Sequence, residues 1–334
     1  MIVKFFIAMA ICFVAAAVLG KTLIPVLKSF KMGQKIREIG PRWHKSKEGT
    51  PMMGGIFFII PVVLTMAVYS FLCMDFSAGG VRFLLCLALA LANGAIGFID
   101  DSRKLFKKQN EGLKSGEKFM LQLVVAALFL LGMSYFGGLS TELYIPFFGV
   151  SVELGKFYYV IALLVIVGVT NAVNLTDGID GLASGVTAVV SVFFALSAAV
   201  LAKEGAFYLA GAIFGGCLGF LVYNLNPARV FMGDTGSLFL GGAVCALAFL
   251  IDNPLIILVA GIIYIIEAAS VILQVSYFKI TKALSKTGEG KRLFKMSPIH
   301  HHFERSGWSE NTIVIVFCLV SASACVLAYL FGIK

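Results

Sequence analysis

The chain has 334 residues, of which 59% are hydrophobic and only 13% charged, with a formal net charge of +9. Soluble domains carry about 45–50% apolar and about 25% charged residues, so this composition excludes a water-soluble globule and directs the reading to a membrane protein. The cysteines, Cys12, Cys73, Cys86, Cys217, Cys245, Cys318 and Cys325, all lie in apolar runs without a CxxC pair, which argues against both a disulfide framework and a zinc site.

A bilayer core takes about 20 apolar residues per helix. Ten segments meet that length: 3–27, 54–74, 82–99, 119–137, 157–175, 185–202, 206–223, 235–251, 255–278 and 312–333. The first has no small-residue cleavage site and is read as a span that stays. Ten spans leave both termini on one side and five loops on the other: 28–53, 100–118, 176–184, 224–234 and 279–311. These loops hold 7, 6, 0, 1 and 7 Lys and Arg residues, 21 of the 27 in the chain. Basic residues are retained in the cytoplasm, so the five loops are expected to face the cytoplasm and both termini the outside. The positive charge is then a one-sided field, suited to anionic lipid and anionic substrates.

The polar motifs follow in chain order. The first loop ends in Trp43-His44-Lys45-Ser46-Lys47-Glu48-Gly49-Thr50-Pro51-Met52-Met53-Gly54-Gly55, a basic stretch running into a glycine-rich helix start whose backbone N–H groups are a possible phosphate receptor. Asp100 and Asp101 close the third span, with Lys104, Lys107, Lys108 and Lys118 after them. Asn171-Ala-Val-Asn174-Leu-Thr-Asp177-Gly-Ile-Asp180-Gly181 closes the fifth, and Phe231-Met-Gly-Asp234-Thr-Gly-Ser237 opens the eighth. The expected topology puts all five aspartates in one layer. For Asp234 the plainer reading is a helix cap, because a carboxylate at an N-terminus satisfies free N–H groups. For the other four the helix dipole is unfavourable, and an Asp at a membrane-helix centre costs about 2.5–3.5 kcal/mol, less near the interface. Carboxylates among lysines suit phosphate chemistry, and Mg²⁺ favours one or two carboxylates plus phosphate oxygens. Three histidines are contiguous in Lys295-Met-Ser-Pro298-Ile-His300-His301-His302-Phe303-Glu304. Consecutive residues cannot all face one point in a helix, so the run reads as a loop offering imidazoles to phosphate or lipid, or simply as an interfacial loop. Glu267, inside the ninth span, is an intramembrane acid with no role assigned by its context.

These motifs, in this order from about residue 41 to 310, closely resemble the phospho-N-acetylmuramoyl-pentapeptide transferases of the polyprenyl-phosphate N-acetylhexosamine-1-phosphate transferase superfamily, within glycosyltransferase family 4. The stretches that carry the resemblance are Gly49 to Gly55, Asp100 to Lys104, Asn171 to Gly181, Asn224 to Ser237 and Phe294 to Glu304, and the Pro298 to Glu304 run resembles the muramoyl-pentapeptide branch. The resemblance implies an all-α polytopic integral membrane protein, one catalytic domain over 1–334 with ten transmembrane helices and an active site formed by five cytoplasmic loops. It also implies a multi-pass protein of the bacterial inner membrane, often a homodimer. The implied reaction takes UDP-N-acetylmuramoyl-pentapeptide and undecaprenyl phosphate to lipid I and UMP in peptidoglycan biosynthesis, with Mg²⁺, with membrane lipid as surroundings and no nucleic acid. On matching positions it implies Asp100, Asp101 and Asp234 as catalytic, Asp234 as Mg²⁺ ligand, and Lys104 and Lys118 on the phosphates. Asn174, Asp177, Asp180, Asn224 and Phe231 would shape the uridine and substrate site, with Phe231 stacking on uracil, and His300, His301 and His302 would support the substrate phosphates.

Three other readings compete. An ion-coupled transporter also has intramembrane acids, but its charges sit near the midplane, whereas these gather at one face. The same chemistry on another sugar, such as N-acetylglucosamine-1-phosphate, is opposed only by the histidine motif. A membrane scaffold leaves the aspartates and lysines without purpose.

Overall fold

In the computed structural model of the chain, residues 2–29, 47, 49–73, 77–106, 112–285 and 288–333 are described. Among them, ten helices are long and apolar enough to cross a membrane: α1 (Ile2–Ser29), α2 (Ile56–Cys73), α3 (Ala78–Phe106), α4 (Ser115–Tyr135), α5 (Lys156–Thr176), α6 (Leu182–Val200), α7 (Glu204–Asn224), α8 (Gly233–Leu250), α10 (Ile262–Leu284) and α12 (Glu310–Gly332). Two short helices, α9 (Ile257–Ala260) and α11 (Ile299–Glu304), complete the helical set. Large side chains such as Phe71, Leu128, Phe157, Leu164, Ile272 and Leu319 point outward and exposed, as the flanks of a bundle bathed in hydrocarbon require.

Three features differ from the sequence reading. The connection after α4 forms an antiparallel hairpin, β1 (Glu142–Ile145) with β2 (Val150–Glu153), Leu143 opposite Val152, so among the described residues this hairpin is the one departure from helical elements. The ninth apolar segment is broken. Pro254 starts a 3₁₀ turn, α9 follows, and the chain restarts at Gly261 to form α10. The histidine run is helical, within α11.

Helix α8 is the hub. Every residue from Thr235 to Leu250 is buried, so this helix is enclosed by protein on all sides, an arrangement its apolar circumference allows. Small residues let its neighbours approach. A Cβ on Gly97 of α3 would collide with the Asp234 carbonyl, one on Gly242 with the Ala90 and Leu89 backbone, and one on Gly241 with the Thr170 backbone of α5. Without a hydrophobic drive between membrane helices, such backbone-to-backbone packing supplies the association energy. Helices α3 and α8 therefore run antiparallel in close contact. At one end Arg82 binds the Phe249 carbonyl and Asp252, with Lys203 Nζ 2.9 Å from Asp252. At the other end lie Asp100, Asp101 and Asp234.

Candidate active site

The α3–α8 seam positions the acids. The sequence reading placed Asp100 and Asp101 at the end of a span. Helix α3 continues to Phe106, so both lie inside it, one turn or more before its end. Asp101 is buried and accepts bonds from Thr235 N at 2.9 Å, Thr235 Oγ1 at 2.7 Å and Asp234 N at 3.3 Å. The free N–H groups at the start of α8 are thus capped by a carboxylate from a neighbouring helix. Asp234 is not the cap, because no side chain of α8 caps its own start. Its carboxylate is turned instead toward the lysines.

There the charges interlock. Lys104 Nζ lies 2.6 Å from Asp100 Oδ2, 3.4 Å from Asp101 Oδ1 and 2.8 Å from Asp234 Oδ2. Lys118, from α4, lies 3.1 Å from the same Asp234 oxygen and 3.4 Å from Asn174 Oδ1. Asn174, from α5, donates to Asp234 Oδ1 at 2.9 Å and to Ser237 Oγ at 2.7 Å. Asp100 Oδ1 accepts from Leu113 N at 2.7 Å. Four helices thus converge on one ionic cluster, as the common layer of acids predicts. Ligand atoms of Asp100, Asp101 and Asp234 lie within 4.8 Å of one another. A hard cation bound at about 2.0–2.1 Å fits this all-oxygen set, and the Lys104 ammonium already stands at its centre as a cation. Asp100 and Asp234 are the better ligands of the three, because Asp101 Oδ2 is committed to Thr235.

Other predicted residues divide into those facing this cluster and those that hold loops. Asp177 follows α5 half-buried. Burial holds its carboxyl toward the neutral form, well above the usual carboxylate range, and the negative charges of Asp234, Asp101 and Asp180 add to this. Asp180 is a knot. Its Oδ1 meets Lys47 Nζ at 2.7 Å, and its Oδ2 accepts from Asn226 Nδ2 at 3.0 Å and Ala228 N at 2.9 Å. Lys47 also reaches Glu310 at 2.7 Å, at the start of α12. Asn224 is buried, accepting from Gly181 N at 3.1 Å and donating to the Val230 carbonyl at 2.9 Å. Both residues therefore shape the 224–232 loop. Phe231 is half-buried, its backbone bonded to Pro51 O and Gly54 N, each at 2.9 Å. The Gly54 and Gly55 amides serve the Phe231 and Met232 carbonyls, so they are not the phosphate receptor the sequence suggested. Trp43 to Ser46, Glu48, Lys107 and Lys108 lie outside the described residues.

The three histidines have three different partners. His300 Nδ1 lies 2.9 Å from Glu267 Oε2, both side chains fully buried. His301 Nδ1 lies 2.5 Å from Glu304 Oε2, and His302 Nδ1 accepts from Lys295 N at 3.1 Å. The divergence follows from the helical geometry of α11. Thr235, Ser237, Lys47 and Glu310 went unnoticed in the sequence as site residues. Lys47, Thr235 and Ser237 lie inside the motifs singled out above, whereas Glu310 gave no signal.

The glycosyl transferase family 4 model matches residues 82–252, the stretch that holds α3 to α8 and the ionic cluster. Among similar curated proteins is the phospho-N-acetylmuramoyl-pentapeptide-transferase of Caldanaerobacter subterraneus subsp. tengcongensis, 45% identical over 98% of this chain and 99% of the relative. Proteins of the same name from Clostridium perfringens and Listeria monocytogenes are each 44% identical, over 98% and 96% of this chain and 96% and 97% of their own lengths. With the match extending along the whole chain and the family's motifs assembled around one cluster, the chain belongs to the phospho-N-acetylmuramoyl-pentapeptide-transferases of glycosyl transferase family 4.

Proposed function

We propose that the chain transfers phospho-N-acetylmuramoyl-pentapeptide from its UDP carrier to undecaprenyl phosphate, giving lipid I and UMP, at the end of the bundle where Asp100, Asp234, Lys104 and Lys118 meet. The observation that carries this reading is Lys104 seated among three carboxylates on the α3–α8 seam. That cluster can exchange its internal ion pairs for pairs with phosphate. In the direct reaction an oxygen of the lipid phosphate attacks the sugar-linked phosphorus. The bond from that phosphorus to the bridging oxygen breaks, and its electron pair leaves with UMP. One phosphoanhydride replaces another, so the barrier lies chiefly in bringing two anions together. Lys104 and Lys118 lower it by pairing with the diphosphate oxygens once these displace the carboxylates. Asp100 holds any proton the lipid phosphate retains, and Asp101 keeps the start of α8 in place. Mg²⁺ held by Asp234 and Asp100 would supply further positive charge to the diphosphate. Asn174, Asp177 and Phe231 line the side on which the uridine would rest, on a floor shaped by Asp180 and Asn224.

The same proposal orients the protein in the bacterial inner membrane, with the cluster facing the cytoplasm and both termini outside. The excess of Lys and Arg in the loops at the cluster end supports it. The test is direct. Purified protein with Mg²⁺ and undecaprenyl phosphate should release UMP and form lipid product from UDP-N-acetylmuramoyl-pentapeptide, and little from UDP-N-acetylglucosamine. The reverse preference removes the peptidoglycan assignment and keeps the superfamily chemistry.

A further inference from the structure

The end of the bundle opposite the acid cluster holds polar groups that the transfer chemistry above does not use. A cavity of about 350 Å³ opens there, where the start of α3, the start of α5 and the residues after α8 meet the hairpin. Its size falls within the range of small-molecule sites, about 300–1,000 Å³. The helices supply the floor. Arg82 bonds to the Phe249 carbonyl and to Asp252 from Nη2 alone. Its Nε is enclosed by protein and out of reach, so Nη1 is the guanidinium nitrogen left to serve a ligand. Tyr158 lines the same floor and is only 3% exposed. Its hydroxyl has no hydrogen-bond partner among the described residues, whereas buried polar groups as a rule find one.

The hairpin supplies the roof. Alternate residues of a strand share a face, so Glu142 and Tyr144 of β1 point the same way, and Ser151 of β2, paired with Tyr144, continues that face. All three line the cavity. The turn of the hairpin is held across the bundle, where Phe147 N donates to the Phe331 carbonyl at 3.3 Å. The charges are balanced. Arg82 pairs with Asp252, and Lys203 Nζ lies 2.9 Å from the other Asp252 oxygen; with Glu142 the cavity is served by two cations and two acids. Such a lining is complementary to a ligand that carries both signs and not to one that carries a single sign. Tyr135 and Phe136 at the end of α4 and Phe157 beside Tyr158 are exposed, an aromatic belt of the kind that marks the headgroup level of a bilayer. The cavity opens at that level.

We propose that this cavity binds a phosphoethanolamine group. The phosphate oxygens accept from Arg82 Nη1 and from the Tyr158 hydroxyl, and the ammonium donates to Glu142 in the roof, each a charge-assisted hydrogen bond. An ethanolamine phospholipid presents this group at the level of the aromatic belt, and free phosphoethanolamine presents the same chemistry from water. The site stands apart from the acid cluster and does not depend on the transferase reading.

The test is native mass spectrometry of the full chain released from detergent, reading the affinity of the first molecule bound. The probes are dihexanoyl phosphatidylethanolamine, the phosphatidylglycerol and phosphatidylcholine of the same chains, and free phosphoethanolamine. In the wild type the ethanolamine lipid should bind at least about 10-fold more tightly than the other two lipids, the scale of one hydrogen bond to a charged group, because glycerol lacks the ammonium and choline has no N–H to donate. Tyr158→Phe and Glu142→Gln should each weaken it about 10-fold, and Glu142→Gln should leave the affinity for the glycerol lipid within about 2-fold of wild type. An ethanolamine lipid that binds no more tightly than the others overturns the proposal, even if neither variant folds. Unchanged affinity in a variant that melts as a folded protein overturns it as well, since binding elsewhere on the bundle would not respond to either side chain. Tighter binding of the lipid than of free phosphoethanolamine assigns the membrane as the source of the group, and equal binding assigns the soluble compound.

Discussion

Asp101→Asn separates the two duties of the acid cluster, holding the helix and handling the substrate. The native carboxylate receives three donors, Thr235 N at 2.9 Å and Thr235 Oγ1 at 2.7 Å on one oxygen and Asp234 N at 3.3 Å on the other. Asparagine offers one acceptor oxygen. If that oxygen faces Thr235, the amide NH₂ confronts the Asp234 N–H, donor against donor. Two charge-assisted bonds become neutral ones, a loss of about 1 kcal/mol each. The interaction of a buried carboxylate with the start of a helix is worth up to about 2 kcal/mol, and relief from burying a charge offsets part of the sum. A net loss of about 2–3 kcal/mol is expected, and at about 2–4 °C per kcal/mol for a domain of 150–250 residues the melting temperature should fall by about 5–10 °C. The assay is thermal unfolding in detergent at a fixed heating rate, with Asp234→Asn alongside as control. Asp234 caps no helix start, so its variant reports the loss of the Lys104 and Lys118 pairs alone and should melt above Asp101→Asn. If Asp101→Asn melts at the wild-type temperature while losing turnover, Asp101 acts on the substrate and the cap argument fails.

Three further outcomes follow from the same geometry. Asp234→Asn should lose turnover by at least about 100-fold, on the scale of a lost electrostatic contribution to the transition state, and should no longer gain thermal stability from Mg²⁺; wild-type activity at low Mg²⁺ would remove it from the metal site. Lys104→Met leaves three carboxylates within 4.8 Å without their central cation, so Mg²⁺ should raise its melting temperature more than that of wild type; an equal shift would show that the ammonium and the metal do not share a place. A cysteine at Lys291 should react only with reagents that reach the cytoplasm, and labelling from outside intact cells would invert the proposed orientation.

What the sequence disclosed and what it hid have physical causes. Hydropathy found all the spans, because a helix in hydrocarbon must be apolar over its length whatever its partners. It stopped α3 at Ile99, since Asp-Asp-Ser-Arg-Lys lowers any hydropathy window even though its backbone remains helical to Phe106. The hairpin after α4 lies outside the spans, where hydropathy is silent. The gathering of Asp100, Asp101 and Asp234 was legible from topology, because helix ends on one face share a layer. The division of labour among them was not. Capping rules are local in sequence and pointed to Asp234, whereas the acceptor for the start of α8 comes from α3, more than a hundred residues away. The family resemblance assigns Asp180 and Asn224 to the substrate, and the structure adds a second duty for both. Their bonds to the 224–232 loop and to Lys47 depend on contacts between elements that no motif encodes.

The enclosure of α8 bears on where specificity can reside. With Thr235 to Leu250 buried throughout and glycines fixing its distance to α3 and α5, the start of α8 cannot shift without repacking the bundle. The cluster built on it is then a rigid platform for phosphate, indifferent to what the phosphate carries. Discrimination among donors falls to parts joined to that platform by polar contacts, which can be rearranged at lower cost. The 288–310 segment is such a part. It is tied down by Gln274 Oε1, which accepts from Leu293 N at 3.0 Å and Phe294 N at 2.8 Å, by the Glu267–His300 contact, and by the Lys47–Glu310 pair. Each of these anchors ends near the 177–180 turn or on α10, beside the cluster and not within it. Changes there should alter which donor is accepted before they alter the rate of phosphate transfer, and changes on the α3–α8 seam should do the reverse.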